Sequence, residues 1–196
     1  MPTDRRDLQR RLFRSASSQG GYFTAAQARE IGYSYQAQAY HARVGNWTRV
    51  DRGLFRLTPW SSDVHDDLIR WTLWSRGQAV ISHETALTVH DVGELESPRV
   101  HLTVPRDFSK RDPAVVLHRT TLAETDVVQR TGFKVTSTTR SLIDVAHTAD
   151  EDQLARAIQD GRERGLFTLR QLRERAEATD LKAALRVERA LQLPVS

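Results

Sequence analysis

The chain has 196 residues, of which 39% are hydrophobic and 28% are charged. This length and composition are typical of a soluble protein with one or two small domains. No stretch approaches the roughly 20 apolar residues of a membrane-spanning helix, and the first residues lack the apolar core of a secretory signal. Cysteine is absent, which excludes disulfides and thiolate metal sites and agrees with a reducing compartment. We therefore expect a cytoplasmic protein with no membrane partner.

Positive charge is concentrated in the first 60 residues. They contain ten arginines and four acidic residues, a net charge of +6, whereas the whole chain carries +4. Residues 61–196 therefore sum to −2. Arginine offers a bidentate fork to phosphate or guanine, so this asymmetry favours nucleic acid as the partner of the N-terminal segment. An arginine-rich codon usage explains the choice of arginine over lysine equally well, but it does not explain the asymmetry.

Three short helices are predicted in the N-terminal segment. Residues 3–17 have apolar side chains at helical spacing. Thr24 and Gln27 fit a capping box at the start of a second helix, which Gly32 ends, and Ser34 then caps a third helix. Two helices joined by a short turn that contains glycine are typical of a helix-turn-helix.

The third predicted helix, from Tyr35 to about Val44, has the composition of a recognition helix. At about 100° per residue, Ala37, Tyr40 and Val44 share one face, which we expect to pack inward. The residues expected to contact DNA from this helix are Ser34, Tyr35, Gln36, Gln38, Ala39 and Arg43. Glutamine can pair with adenine and arginine with guanine in the major groove. An ordinary solvated helix face would have the same composition.

A basic hairpin is predicted after the third helix. Apolar and polar residues alternate over 47–51 and 54–57, on either side of a turn at Arg52. We expect Arg49, Arg52 and Arg56 to lie along the phosphate backbone. Three helices followed by a basic hairpin predict a winged helix over residues 1–60 that binds DNA, the alternative being a winged helix that binds protein.

Residues 61–196 predict a second, mixed α/β domain. Helices are expected near 64–76, 82–92 and after Ser137, with strands near 99–105, 114–118, 127–129 and 133–135. Three further helices, near 150–164, 168–178 and 180–192, form a helical tail from about residue 150. The predicted fold class is thus α+β, with an N-terminal winged helix-turn-helix, a mixed α/β body and a helical C-terminal tail.

No catalytic constellation is recognisable in this body. His83 and Glu84 begin like the zinc motif H-E-x-x-H, but position 87 is leucine. We interpret His83 and His90 as surface or capping residues. A glycine-rich phosphate loop, a G-x-S-x-G motif and a cysteine nucleophile are all absent. The sequence therefore predicts a protein that is not an enzyme, with no catalytic residues, no metal site and no cofactor.

Five segments carry a resemblance to a known family. Residues 21–34, 47–57, 81–87, 100–105 and 136–144 read GYFTAAQAREIGYS, WTRVDRGLFRL, ISHETAL, VHLTVP and TSTTRSLID. In this order they resemble the AbiEi-family antitoxins of type IV toxin–antitoxin systems, many of which are described as transcriptional regulators. The resemblance extends over roughly residues 20–147.

The resemblance implies a protein that binds inverted repeats in its own promoter, represses it and counteracts a nucleotidyltransferase-like toxin encoded beside it. In that family the winged helix binds DNA and the C-terminal part is linked to neutralisation. Since inverted repeats usually bind two copies, we expect two per operator. Some relatives carry a nuclease-like C-terminal domain, for which residues 150–196 are too short and too helical. Two alternatives stay open: a stand-alone winged-helix regulator without a toxin, and an enzyme that the winged helix directs to nucleic acid.

Overall fold

The computed structural model describes residues 4–194, which form two compact units. The first unit runs to Gln78 and includes the separate segment Arg130–Phe133, and the second contains Ala79–Gln129 and the chain from Lys134 onward. Both units combine helices with strands, so the predicted α+β class is confirmed. Within residues 4–194, no helix has the length and apolar character needed to span a membrane.

The first unit has the element order of a winged helix-turn-helix. Its described elements are α1 (Arg5–Ser17), β1 (Tyr22–Thr24), α2 (Ala25–Ile31), α3 (Tyr35–Arg43), β2 (Trp47–Asp51), β3 (Leu54–Leu57) and α4 (Asp66–Trp74). The strands form an antiparallel sheet in the order β1-β3-β2. The helix predicted over residues 3–17 thus starts at Arg5, and its first predicted residue lies outside the described part of the chain.

Side-chain caps set the boundaries of α2 and α3. The Thr24 hydroxyl accepts from the Gln27 backbone N–H at 3.1 Å, and the Gln27 side chain accepts from the Thr24 N–H at 2.8 Å. The Ser34 hydroxyl accepts from the N–H of Ala37 at 3.2 Å. Gly32 ends α2 with φ of 125°, a conformation that side chains rarely adopt. The predicted capping box, cap and turn are confirmed.

An aromatic core holds the helices of the first unit against its sheet. Its buried members are Leu12, Ala16, Phe23, Ala28, Tyr33, Trp47 and Phe55. Trp47 meets Phe23 edge-on, with ring centroids 4.8 Å apart, and stacks on His41 at 4.7 Å. Since His41 belongs to α3 and Trp47 to β2, this stack fixes the rotation of α3 about its axis.

The chain after Gln78 forms a mixed sheet and a set of helices. The elements are β4 (Val80–Ile81), α5 (His83–His90), β5 (Val100–Val104), β6 (Val115–Arg119), β7 (Val127–Arg130), β8 (Phe133–Thr136), α6 (Thr138–Val145), α7 (Glu151–Glu163), α8 (Leu169–Thr179) and α9 (Leu181–Gln192). The strand order is β6-β5-β4-β8-β7, with β4 antiparallel to β5 and parallel to β8. Helices α7 to α9 confirm the predicted helical tail.

Helices α5 to α9 share one apolar core. Its fully buried large side chains include Leu87, Leu142, Leu154, Ile158 and Leu172. Within α7, Leu154 and Ile158 are four residues apart, the spacing of one helix face. The tail is therefore an integral part of the second unit.

A buried charge network connects α6 and α8. The Asp126 carboxylate, only 2% exposed, accepts from Nη1 of Arg140 at 3.0 Å and from Nε of Arg175 at 2.7 Å. Nε of Arg140 also donates to Asp144 at 2.8 Å. Burial raises the pKa of Asp144 to about 6, although the positive charge of Arg140 opposes this shift. The network places two arginines of the second unit in structural roles.

Candidate nucleic-acid interface

Helix α3 presents an exposed face that carries most of the predicted contact residues. Its exposed members are Ser34, Tyr35, Gln36, Ala39, Tyr40 and Arg43. The guanidinium of Arg29 lies 4.7 Å from the centre of the Tyr35 ring, and that of Arg43 lies 5.9 Å from the Tyr40 ring. Both are cation–π distances. The face thus offers hydrogen-bonding groups and positive charge around the small side chain of Ala39.

Helix α3 is rotated relative to its predicted orientation. Tyr40 and Val44, expected to pack inward, are 47% and 46% exposed, whereas Ala42 packs against the core. The cause is the stack of His41 on Trp47, which turns that side of the helix toward the sheet. Helical periodicity alone does not show this contact because Trp47 lies on another element.

Gln38 also differs from its predicted position. Its side chain is buried, and its amide donates to the carbonyl oxygens of Ala25 and Tyr33, each at 3.1 Å. These carbonyls lie at the start of α2 and in the turn before α3. The side chain of Gln38 is therefore not placed to contact DNA as expected, and its amide holds α3 against α2.

The hairpin of β2 and β3 carries two accessible arginines. Arg49 and Arg52 are exposed, and within residues 4–194 neither guanidinium forms an ion pair with an acidic side chain. The guanidinium of Arg49 lies 5.7 Å from the Phe55 ring, and the backbone N–H of Arg52 donates to the Asp51 carboxylate at 2.6 Å. The turn is therefore held by local contacts that leave both positive charges available.

Arg56, the third predicted hairpin contact, is not available in the same way. Its side chain is 13% exposed, and Nη2 lies 2.8 Å from a carboxylate oxygen of Asp66. It also donates to the carbonyl oxygens of Gly20 and Ser61 at 3.1 and 3.0 Å. The outward position predicted for Arg56 is wrong, because the pairing of β3 directs this residue toward α4. The acidic start of α4, Asp66 and Asp67, was the available sequence signal.

The imidazole of His41 contributes little positive charge to this surface at neutral pH. Burial lowers the pKa of His41 below its usual value, and the nearby charge of Arg5 lowers it further. Its Nδ1 lies 3.0 Å from the side-chain nitrogen of Asn46. The positive charge of the surface therefore comes from its arginines.

A separate group of histidines lies in the second unit. His83, His101 and His118 each place a ring nitrogen within 4.8 Å of the others, the one such group of potential metal ligands found in the described residues. Burial lowers the pKa of His83 to about 3 and that of His118 to about 4, so both rings are neutral at pH 7. The sequence motifs did not reveal this group because its members come from α5, β5 and β6.

The element order of the first unit is that of a winged helix-turn-helix. Its accessible arginines make the surface of this unit suited to binding nucleic acid. Residues 10–58 match the family described as "Transcriptional regulator, AbiEi antitoxin". This match confirms the resemblance to that family over these residues. Beyond residue 58 the resemblance stays a prediction.

The fold of the chain is similar to that of a solved protein. The crystal structure of RV2827C protein from Mycobacterium tuberculosis aligns with 94% of this chain and 76% of that chain, with a TM-score of 0.59 and 14% sequence identity. At this identity the similarity concerns the fold alone. No curated protein matches the chain.

Proposed function

We propose that this protein is a cytoplasmic, DNA-binding antitoxin of a type IV toxin–antitoxin system that represses its own promoter. The observation that carries the proposal is the exposed face of α3 followed by the accessible arginines of the hairpin, all within the region that matches the regulator family. The role is not enzymatic, and it divides between residues 1–60, which bind DNA, and residues 61–196, which act on the toxin.

Helix α3 enters the major groove in this proposal. Arg43 can donate two hydrogen bonds to guanine, and Gln36 can pair with adenine. Ser34 and Tyr35 lie at the N-terminus of α3, where phosphate contacts are common. The small side chain of Ala39 lets the helix approach the bases closely. Arg49 and Arg52 contact phosphates beside the groove.

Gln38 and Arg56 are positioning residues in this proposal. Gln38 holds α3 against α2, and Arg56 connects the hairpin to Asp66 at the start of α4. Both therefore affect DNA binding through the shape of the first unit. Base and phosphate contacts fall to the exposed residues.

Two copies occupy one operator. A single recognition helix reads a short half-site, so specific operators for such modules are usually inverted repeats with half-sites about one helical turn apart.

The second unit, whose chain is close to neutral, contacts the cognate nucleotidyltransferase-like toxin. A net charge of −2 over residues 61–196 is poorly suited to a second DNA contact.

Promoter binding tests the DNA-binding part of the proposal. Fluorescence anisotropy of a labelled fragment from upstream of the gene should show binding that weakens with salt, with a log–log slope of about −0.9 per phosphate neutralised. Arg170→Ala removes an exposed arginine of α8 and is the charge-matched control for Arg49 and Arg52. This substitution should leave the slope unchanged. A flat salt dependence would contradict the assignment of Arg49 and Arg52.

Co-expression tests the antitoxin part. The full chain carrying both Arg43→Ala and Arg52→Ala is expressed from a foreign promoter together with the adjacent gene. We expect it to lose promoter binding and still restore growth, because neutralisation depends on the second unit. If only the wild-type chain, which still binds DNA, restores growth, protection acts through transcription. The stand-alone regulator then becomes the better description.

A further inference from the structure

We propose that the second unit binds a divalent transition-metal ion through His83, His101 and His118 together with the carboxylate of Glu84. The site is independent of the DNA-binding surface, since all four residues belong to the second unit. It differs from the H-E-x-x-H pattern because the ligands come from the start of α5 and from two neighbouring strands.

The sheet brings two of these histidines together. In the parallel pair of β5 and β6, His101 is opposite Val116 and Thr103 is opposite His118. Alternate residues of a strand face the same side, so His101 and His118 are diagonal neighbours on one face. Nε2 of His118 lies 3.2 Å from Nδ1 of His101.

Glu84 places a carboxylate oxygen beside one of these nitrogens. Its Oε2 atom lies 2.9 Å from Nδ1 of His101, which is also the atom that His118 approaches. In a tetrahedral zinc site with bonds of about 2.0–2.1 Å, neighbouring ligand atoms are about 3.3 Å apart. The two separations from Nδ1 of His101 are already close to that spacing.

Hydrogen bonding can satisfy only one of the two close contacts at Nδ1 of His101. A proton on Nδ1 of His101 cannot lie on the lines to both Glu84 and His118 at once. Without that proton, the ring nitrogen and the carboxylate of Glu84 face each other as two acceptors. Oε2 of Glu84 is buried and completes no hydrogen bond among the described residues. A cation between these atoms accepts all of their lone pairs together.

Serine hydroxyls hold the opposite ring nitrogens. Oγ of Ser97 lies 3.1 Å from Nε2 of His101, and Oγ of Ser82 lies 3.0 Å from Nδ1 of His83. Metal-binding histidines commonly have such a partner at the nitrogen that does not bind the ion. These contacts leave Nδ1 of His101 and Nε2 of His83 for the metal.

His83 and His118 must shift slightly to bind one ion together. Their rings stack with centroids 3.4 Å apart and planes 15° apart, so their lone pairs lie in two nearly parallel planes. One ring has to turn for both nitrogens to converge. His83 borders a cavity of about 430 Å³ that is also lined by Asp144 and Thr120. This cavity gives the ring room to turn and gives the ion a path from solvent.

The donor set selects the class of ion. Three imidazoles and one carboxylate suit zinc and other imidazole-preferring metals, whereas magnesium and calcium prefer oxygen ligands. We therefore expect one zinc ion per chain and no competition from magnesium.

Zinc titration of the full, tag-free chain tests the site. Calorimetry with zinc chloride should show one equivalent bound, and cobalt should give the visible absorption of a tetrahedral complex. His118→Ala should abolish both signals, whereas His147→Ala, which removes an exposed histidine of the same unit, should change neither. Absence of zinc binding by the wild type, or equal binding by His118→Ala, would overturn the proposal.

Two milder substitutions keep the test decisive if His118→Ala does not fold. Ser97→Ala removes the partner of His101 and should weaken zinc binding by about 10–100-fold, the usual cost of losing such a contact. Glu84→Gln should weaken it as well. Circular dichroism establishes that these variants are folded, and zinc should raise the unfolding temperature of the wild type more than theirs. Unchanged affinity in both folded variants would contradict the ligand set.

Discussion

Arginine has different roles in the two units of this molecule. In the first unit, Arg43, Arg49 and Arg52 are exposed and have no acidic partner within residues 4–194. In the second, Arg140 and Arg175 both bind the buried carboxylate of Asp126. The count of positive charges therefore says less about DNA binding than the absence of neighbouring acids does. A charge neutralised within the fold attracts phosphate only weakly.

Arg56 shows that this division follows local surroundings and not the boundary between units. It lies in the basic first unit, yet it pairs with Asp66 and is 13% exposed. Ion pairs on the surface contribute little to stability, whereas breaking a buried pair leaves an uncompensated charge and is costly. The two kinds of arginine should therefore respond differently to substitution.

The largest effect is expected at the centre of the buried network. Asp126→Ala leaves Arg140 and Arg175 without their shared carboxylate, and we expect a loss of about 3–5 kcal/mol in the free energy of unfolding. Urea denaturation followed by circular dichroism measures this loss. Asp107→Ala, at an exposed position of the same unit, should change stability by less than about 0.5 kcal/mol. Equal effects of the two substitutions would show that the network is not structurally important.

A smaller loss of stability is expected at Arg56. Arg56→Ala removes charged hydrogen bonds to Asp66 and to two carbonyls, each worth about 1.5–3 kcal/mol when isolated, so we expect a loss of about 2–3 kcal/mol. Arg52→Ala is the matched control and should leave stability unchanged. At equal concentrations of folded protein, Arg52→Ala should weaken binding to promoter DNA more than Arg56→Ala does. If Arg56→Ala weakens binding and not stability, Arg56 contacts phosphate after all.

Local sequence signals were sufficient for most elements of the fold, although the short strands β1 and β4 were not predicted. The cap at Thr24, the turn at Gly32 and the pairing of the hairpin strands each depend on residues close in sequence, and the structure confirms them. Such contacts form within one element and need no knowledge of the rest of the chain.

The orientation of side chains was harder to predict. The rotation of α3 depends on the stack of His41 with Trp47, and the position of Arg56 depends on Asp66 in the next helix. The proximity of His101 and His118 depends on the register of β5 with β6. Each contact joins two elements, and periodicity within one element contains no information about its partner.

Arg43 is expected to distinguish promoter DNA from random DNA through a base contact. Arg43→Ala should reduce the preference for promoter over random DNA by about 1–3 kcal/mol if a bidentate base contact is lost. Arg52→Ala should weaken binding to both DNAs equally, because phosphates are the same in every sequence. Competition binding at one fixed salt concentration measures both effects. Equal behaviour of the two variants would mean that α3 does not read bases through Arg43.

The smallest expected effect concerns pH and the first unit. Burial lowers the pKa of His41 below its usual value of 6.5, and the charge of Arg5 acts in the same direction. Between the folded and unfolded pKa values the unfolded chain binds the proton more readily, so the free energy of unfolding rises with pH in this window. The stabilisation is complete above about pH 6.5 and is lost as the pH falls through the folded pKa.

Replacement of His41 by phenylalanine isolates this contribution. Phenylalanine can stack on Trp47 and cannot be protonated, so the stability of the wild type relative to His41→Phe should fall as the solution is acidified from pH 7. Other groups titrate alike in both chains and cancel in the difference. NMR titration of the His41 ring provides a direct measurement of its pKa. A value at or above 6.5 would mean that the ring is not held in the core beside Trp47, and the inward rotation of α3 would then lose its physical cause.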